Sequence, residues 1–151
     1  MALADHGLLL VPATVADHDW LFTLHREAMG PYVEAIWGWD DSVQRPFFER
    51  FLAAGNVWVI KRGKMPVGVV QWQDQGDHLF LSQIEVAPAH QGKGIGAAVI
   101  RELQDQARKT AQPLLLQVLH INTGARGLYD RLGFVENGNT ETHTLMSWAS
   151  D

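Results

Sequence analysis

The chain has 151 residues, 46% hydrophobic and 19% charged, an ordinary balance for a globular protein, and its length suits one domain burying about two-thirds of its unfolded surface. The absence of cysteine excludes a disulfide framework, a cysteine-ligated metal and a thiol nucleophile. A formal net charge of −5 argues against a nucleic-acid surface and suits amine-bearing ligands, and the start Met1-Ala2-Leu3-Ala4-Asp5 has neither the basic region of a signal peptide nor a membrane-spanning apolar run. A cytoplasmic location away from membranes and nucleic acid is therefore expected.

In chain order, Leu8 to Pro12 reads as a strand, and Thr14 stands as an N-cap with Asp17 at the third helical position. Trp20, Leu21, Leu24 and Ala28 recur at helical spacing, so a helix is expected to run to about Met29 and stop at Gly30-Pro31. Tyr32 to Trp37 is expected as a second, shorter helix, and Asp41 or Ser42 as the cap of another that covers Phe47, Phe48, Phe51 and Leu52 and ends at Gly55. Residues 56–61, 67–73 and 79–86 are rich in β-branched and aromatic residues and are predicted as strands. The short turns between them imply antiparallel neighbours.

A helix from Gly94 to Thr110 places Ile95, Ala98, Val99, Leu103 and Ala107 on one face. Pro113 leads to a strand over Leu114 to Leu119, and Ala125 to Leu132 is the last helix, with Gly133 as a left-handed stop. Phe134 to Glu136 and Thr142 to Trp148 are the final strands, joined by a turn at Asn137-Gly138-Asn139. This order implies an α/β (α+β) fold, a mixed, mostly antiparallel central sheet flanked by helices, in a single domain over 1–151.

The junction between strand 79–86 and its helix, Gln91-Gly92-Lys93-Gly94-Ile95-Gly96, carries the chemistry. Its glycines let a ligand approach the backbone, and a helix N-terminus presents unpaired N–H groups suited to a phosphate. A Walker loop needs Ser or Thr after Gly-Lys, and Gly94 stands there. A dinucleotide loop is nearly matched by Gly92, Gly94 and Ala97, but the next strand, Leu114 to Val118, has no carboxylate for the ribose.

The third reading fits best. Gln91-x-x-Gly94-x-Gly96 resembles the acyl-CoA pyrophosphate loop of the GNAT superfamily of N-acetyltransferases. Asn122-x-x-Ala125-x-x-Leu128-Tyr129-x-x-x-Gly133-Phe134 resembles a second signature of that superfamily, in the right order with one strand between. The resemblance covers roughly Leu79 to Phe134 and implies a GNAT fold using acetyl-CoA. It implies that the backbones of Ile84 and Val86 bind the pantetheine arm, and that the N–H groups of Gly92 to Gly96, Ile95 included, bind the pyrophosphate with Gln91 and Lys93. Asn122 would fix the exit of strand 114–119, and Ala125 would leave room for the cofactor.

Acetyl transfer to an amine requires deprotonation of the amine and stabilisation of the departing thiolate. A lysine-like amine lies about 3.4 units on the wrong side of its pKa at pH 7, roughly 4.6 kcal/mol. Glu85 is the candidate base, with a bare strand carboxylate or an anchor for the substrate cation as competing readings; His120, His143 or water are the alternatives. Tyr129 matches the position whose phenol, in many family members, points at the thioester sulfur. For the acceptor, Tyr32, Glu34, Trp37 and Trp39 combine aromatic faces with acidic groups suited to an amine, and Trp72 would complete the wall. No metal ligands are expected.

The resulting expectation is an N-acetyltransferase acting on a small-molecule or peptide amine by direct attack in a ternary complex, because no cysteine can carry the acetyl group. The alternative is a non-catalytic acyl-CoA-binding module on the same fold. A homodimer is compatible with the resemblance. The acceptor, the acyl-chain preference and the pathway are not encoded in these motifs.

Overall fold

The computed structural model describes residues 1–3 and 7–150. Eight strands form one sheet: β1 (Ala2–Leu3), β2 (Leu8–Pro12), β3 (Val57–Arg62), β4 (Met65–Asp74), β5 (Leu79–Val86), β6 (Leu114–Leu119), β7 (Val135–Asn139) and β8 (His143–Trp148). Their order is β1-β2-β3-β4-β5-β6-β8-β7. Pairing is antiparallel for β1/β2, β2/β3, β3/β4, β6/β8 and β7/β8, and parallel for β5/β6. Four helices flank it: α1 (His18–Trp37), α2 (Asp41–Ala53), α3 (Ile95–Lys109) and α4 (Thr123–Arg131). The mixed, mostly antiparallel sheet read from the sequence is the one present.

The chain divides into two compact units, Met1–Gln71 with Gln83–Lys93, and Trp72–Ser82 with Gly94–Asp151. In the first, Leu21, Phe22 and Leu24 of α1 and Phe48 of α2 pack with Val57, Val59 and Val69 of β3 and β4. Phe22 and Phe48 meet edge to face at 5.3 Å. Burial of each such side chain stabilises by roughly 1.5–3 kcal/mol. The Gln71 amide donates to the carbonyls of Phe51 (2.7 Å) and Gly55 (2.9 Å), fixing the end of α2 on β4. In the second unit, the predicted stripe of α3 is buried throughout, and Leu103, Leu114 and Met146 are almost wholly enclosed. The Gln104 amide donates to the Leu132 carbonyl at 2.8 Å, pinning α3 to the end of α4.

Four local expectations are corrected. Gly30-Pro31 does not end the first helix; α1 runs through it to Trp37 and ends at Gly38, whose φ is +75°. Gly30 and Val33 are buried on that continuation, so packing outweighs the proline, which costs about 3 kcal/mol in a helix interior. Thr14 and Asp17 do form a reciprocal cap, with the Thr14 N–H donating to the Asp17 carboxylate at 2.8 Å, but around a short 3-10 turn before α1. Asp40, not Asp41 or Ser42, caps α2 by accepting from the Ser42 N–H at 2.9 Å. Asn137 to Asn139 lie within β7, where the register shifts between Glu136 and Gly138, and the chain reverses one step later, where the Thr140 N–H donates to the His143 carbonyl. A bulge absorbed the residues that resemble a hairpin turn.

Candidate active site

Glu85 lies near the end of β5, and its position depends on a glycine opposite. A Cβ at Gly68 of β4 would come within 2.5 Å of the Glu85 carbonyl oxygen and 3.3 Å of the Val86 Cα. Only glycine lets these backbones approach so closely. The Ala87 N–H donates to the Val67 carbonyl at 2.8 Å, continuing the contact past β5.

Far from being a bare strand carboxylate, Glu85 is 4% exposed. Its Oε2 lies 2.9 Å from Nδ1 of His25, which is itself buried on α1. Nε2 of His25 faces the Gln44 amide oxygen of α2 at 3.4 Å. Rings of Trp39, Phe47 and Phe48 surround the imidazole at 5.7, 6.3 and 6.1 Å between centroids. Burial, the largest influence on His25, pulls its pKa down; the hydrogen bond and charge of Glu85, with help from Gln44, outweigh it and leave the pKa raised. Among the described residues Oε1 of Glu85 has no hydrogen-bond partner, yet no fully buried side-chain nitrogen or oxygen lacks one. The Glu85 side chain as a whole is 2% exposed.

The predicted acceptor residues of the first unit are ordered by their own contacts. Glu34 accepts from the Trp39 backbone N–H at 2.6 Å, and the Trp39 indole N–H donates to Asp41 at 2.6 Å. Trp39 thus stands as a wall against Phe22 and His25. Tyr32 is half-buried, while Trp37 is 59% exposed, as are Val43 and Phe47 on α2 to a similar degree. Trp72, on β4 in the second unit, is buried. His25, Gln44 and Phe47 were missed from sequence. The available signal was a histidine on the apolar stripe of Leu21, Leu24 and Ala28, where a polar group demands a partner.

Along the glycine-rich loop, the Gln91 amide donates to the Val86 carbonyl at 2.9 Å, closing the turn after β5. Ile84 and Val86 are part-exposed on that strand. Gly92 and Gly94 have φ of +74° and +81°, values that side chains resist, and Lys93 between them is exposed. Gly94 is the N-cap of α3, and no side chain caps that helix. Its first internal bond is from the Ala98 N–H to the Gly94 carbonyl, so the N–H groups of the first turn are left for a ligand or water. These features fit a pyrophosphate: uncapped donors, open space over Gly92 and Gly94, and the positive end of a 15-residue helix.

In the second unit, the Asn122 side chain accepts from the Ala125 N–H at 3.1 Å and so caps α4. The Tyr129 ring is buried and tilted against Phe134 at 5.9 Å. Burial pushes its phenol up to about 12. No hydrogen bond to its hydroxyl is present among the described residues. Of the alternative bases, His120 has both nitrogens engaged, by the Thr144 hydroxyl at 3.1 Å and the Thr140 carbonyl at 3.0 Å. Burial and then the charge of His120 lower the pKa of His143, whose Nδ1 meets the Thr142 hydroxyl at 2.8 Å. No group of three or more metal-ligating side chains is present among the described residues. A cavity of about 520 Å³ lined by Pro12, His18, Leu52 and Trp58 includes none of the predicted site residues.

Residues 19–134 match the model of the acetyltransferase (GNAT) family. Streptothricin acetyltransferase of Streptomyces lavendulae is 41% identical over 66 residues, which are 43% of this chain and only 35% of that protein. Among solved structures, the PaiA N-acetyltransferase of Thermoplasma acidophilum in complex with coenzyme A superposes with a TM-score of 0.75 at 13% identity, over 95% of this chain and 99% of that one. YncA of Salmonella typhimurium, a putative acetyltransferase with its cofactor acetyl-CoA, gives 0.64 at 22% identity, over 97% and 95%. With the fold shared over nearly the whole chain and the family model matched over well more than half of it, the chain belongs to the acetyltransferase (GNAT) family.

Proposed function

We propose that the chain, acting as one acetyltransferase domain, moves an acetyl group from acetyl-CoA to a primary amine of a small molecule or peptide by direct attack. The observation that carries this reading is Glu85, a buried carboxylate at the end of β5 whose Oε2 is held by His25. Acetyl-CoA supplies an acyl group on a thiol whose thiolate is a tolerable leaving group, with a reference pKa of about 8.5.

The chain's residues divide the work. The N–H groups from Gly92 to Gly96 hold the pyrophosphate, Lys93 adds charge there, and the Gln91 amide keeps the turn closed through Val86. Backbone groups of Ile84 and Val86 bind the pantetheine, and Ala125 gives it room beside a helix start fixed by Asn122. Oε1 of Glu85 accepts the proton of the incoming amine, directly or through one water. Tyr129 keeps its proton at every working pH, since its phenol titrates at about 12, and holds it at the hydroxyl for the departing sulfur. The exposed Trp37 and Phe47, the ordered Trp39 and the carboxylates of Glu34 and Asp41 form an aromatic and acidic surface suited to a cationic acceptor. Tyr32 extends the acceptor contacts.

Among the described residues no helix is long and apolar enough to cross a membrane, in keeping with a cytoplasmic enzyme; a homodimer is compatible with the reading. The test is thiol release from acetyl-CoA against pooled polyamines, amino acids, aminoglycosides, short peptides and streptothricin, in which a cysteine-free protein gives no background. Release with one pool and its loss in Glu85→Gln supports the reading. Acetyl-CoA binding with silence from every pool favours the non-catalytic module.

A further inference from the structure

We propose that His25 is the positioning residue of Glu85: with both ring nitrogens donating, it keeps the carboxylate ionised inside an aromatic enclosure and leaves Oε1 as the working oxygen. The inference rests on Glu85 acting on the acceptor amine, and it adds a residue that lies outside both family signatures.

The geometry is specific. Burial disfavours the charge of a carboxylate, and the Glu85 side chain is 2% exposed. A protonated Glu85 could neither accept the amine's proton nor pair with an ammonium. Nδ1 of His25 lies 2.9 Å from Oε2, the distance of a charge-assisted hydrogen bond. Nε2 lies 3.4 Å from an oxygen, Gln44 Oε1, which can only accept. Both ring nitrogens therefore face acceptors, the arrangement that an imidazolium satisfies and a neutral imidazole does not. The raised pKa of His25 agrees with this.

Among the described residues no second carboxylate bonds the ring: Glu85 of β5 faces it and α2 presents the neutral Gln44. Arg26 and Arg45 sit over the neighbouring Phe22 ring at 5.4 and 3.8 Å. Glu34 and Asp41 are occupied with the two N–H groups of Trp39. The rings at Trp39, Phe47 and Phe48 fix the imidazole plane, so the direction in which Oε2 is held, and hence the direction of Oε1, is set by packing.

Two measurements test this. The first is titration of His25 by ring-carbon NMR in the free protein. His25 is expected to titrate above 6.5, and Glu85→Gln is expected to lower its midpoint. A midpoint at or below 6.5, or one unmoved by Glu85→Gln, overturns the inference without bearing on acetyl transfer. The second is the pH dependence of kcat/KM for His25→Leu and His25→Asn relative to the wild type, a ratio that cancels titration of the acceptor amine. For the leucine variant the ratio should fall at acidic pH, by up to about tenfold per pH unit as one proton is taken up, and recover at alkaline pH. Asparagine, which keeps a donor where Nδ1 stands, should restore at least part of it. A flat ratio for a leucine variant that still binds acetyl-CoA, where Glu85→Gln is inactive, also overturns the inference. Coupled NMR titration with both Glu85→Gln and His25→Leu fully active would leave the pair standing and remove Glu85 from catalysis, which is the failure of the functional reading instead.

Discussion

Gly68→Ala is a sensitive probe of how the candidate base is placed. The added methyl would meet the Glu85 carbonyl oxygen at 2.5 Å, the Ile60 Cδ1 at 3.2 Å and the Val86 Cα at 3.3 Å. The Ile60 side chain can turn aside, but two of the three obstacles are backbone, so β5 must move away by the better part of an ångström. Overpacking of this kind costs about 1–3 kcal/mol, and the stiffer unfolded chain returns roughly 0.4–1 kcal/mol. A net loss of about 1–2 kcal/mol corresponds to a fall in Tm of roughly 2–8 °C for a chain of this size. A shift of about 1 Å in a catalytic group can cost on the order of 100-fold in rate. The expected outcome is therefore a modest loss of stability and a disproportionate loss of kcat/KM, read by calorimetry and by thiol release. An alanine variant with wild-type Tm and wild-type kcat/KM would refute the claim that this close approach sets the position of Glu85.

Three further outcomes follow from the site. Tyr129→Phe should lower kcat much more than acetyl-CoA affinity, and unchanged turnover in steady-state kinetics would remove the acid role. Gln91→Ala frees the Val86 carbonyl and loosens the turn, so it should weaken acetyl-CoA binding severalfold by calorimetry while Tm changes little, the bond being exposed. The pH dependence of stability has a definite sign at His25. Its folded pKa lies above the ordinary histidine value of 6.5, so its contribution is fully present below about 6.5 and is lost as pH rises through the folded pKa. Thermal scans from pH 6 to 10 should show that loss in the wild type and a flatter profile in His25→Asn; parallel profiles would contradict it.

What the sequence disclosed was local. The buried stripe of α3, the positive φ of Gly92 and Gly94, the stop at Gly133 and the cap at Asn122 are each specified by residues within a turn of one another. The misreadings arose where distant packing overrode such signals, as at Gly30-Pro31, or where one local pattern serves two structures, as Asn137-Gly138 does in a bulge. The His25–Glu85 pair joins residues 60 positions apart on a helix and a strand, and no spacing rule connects them. Gly68 likewise looks like any strand glycine until the neighbouring backbone is in place. The family signatures point to where the cofactor belongs, but the surroundings of the candidate base come from α1 and α2, outside both motifs.

The presence of a histidine–carboxylate pair inside an aromatic shell is not explained by stability. Removing two charged groups from water costs several kcal/mol each, and replacing such pairs with apolar residues of similar volume is often neutral or stabilising by about 1–4 kcal/mol. Loss of one partner, by contrast, strands a buried group at a cost of about 3–5 kcal/mol. The double variant His25→Leu with Glu85→Met should accordingly keep or raise Tm among Phe22, Trp39, Phe47 and Phe48, while acetyl transfer is lost and acetyl-CoA binding at the Gln91–Gly96 loop persists. A double variant as unstable as the worse single one would make the pair a structural element after all. A stable, inactive, cofactor-binding double variant would place its value in the carboxylate oxygen that His25 does not hold.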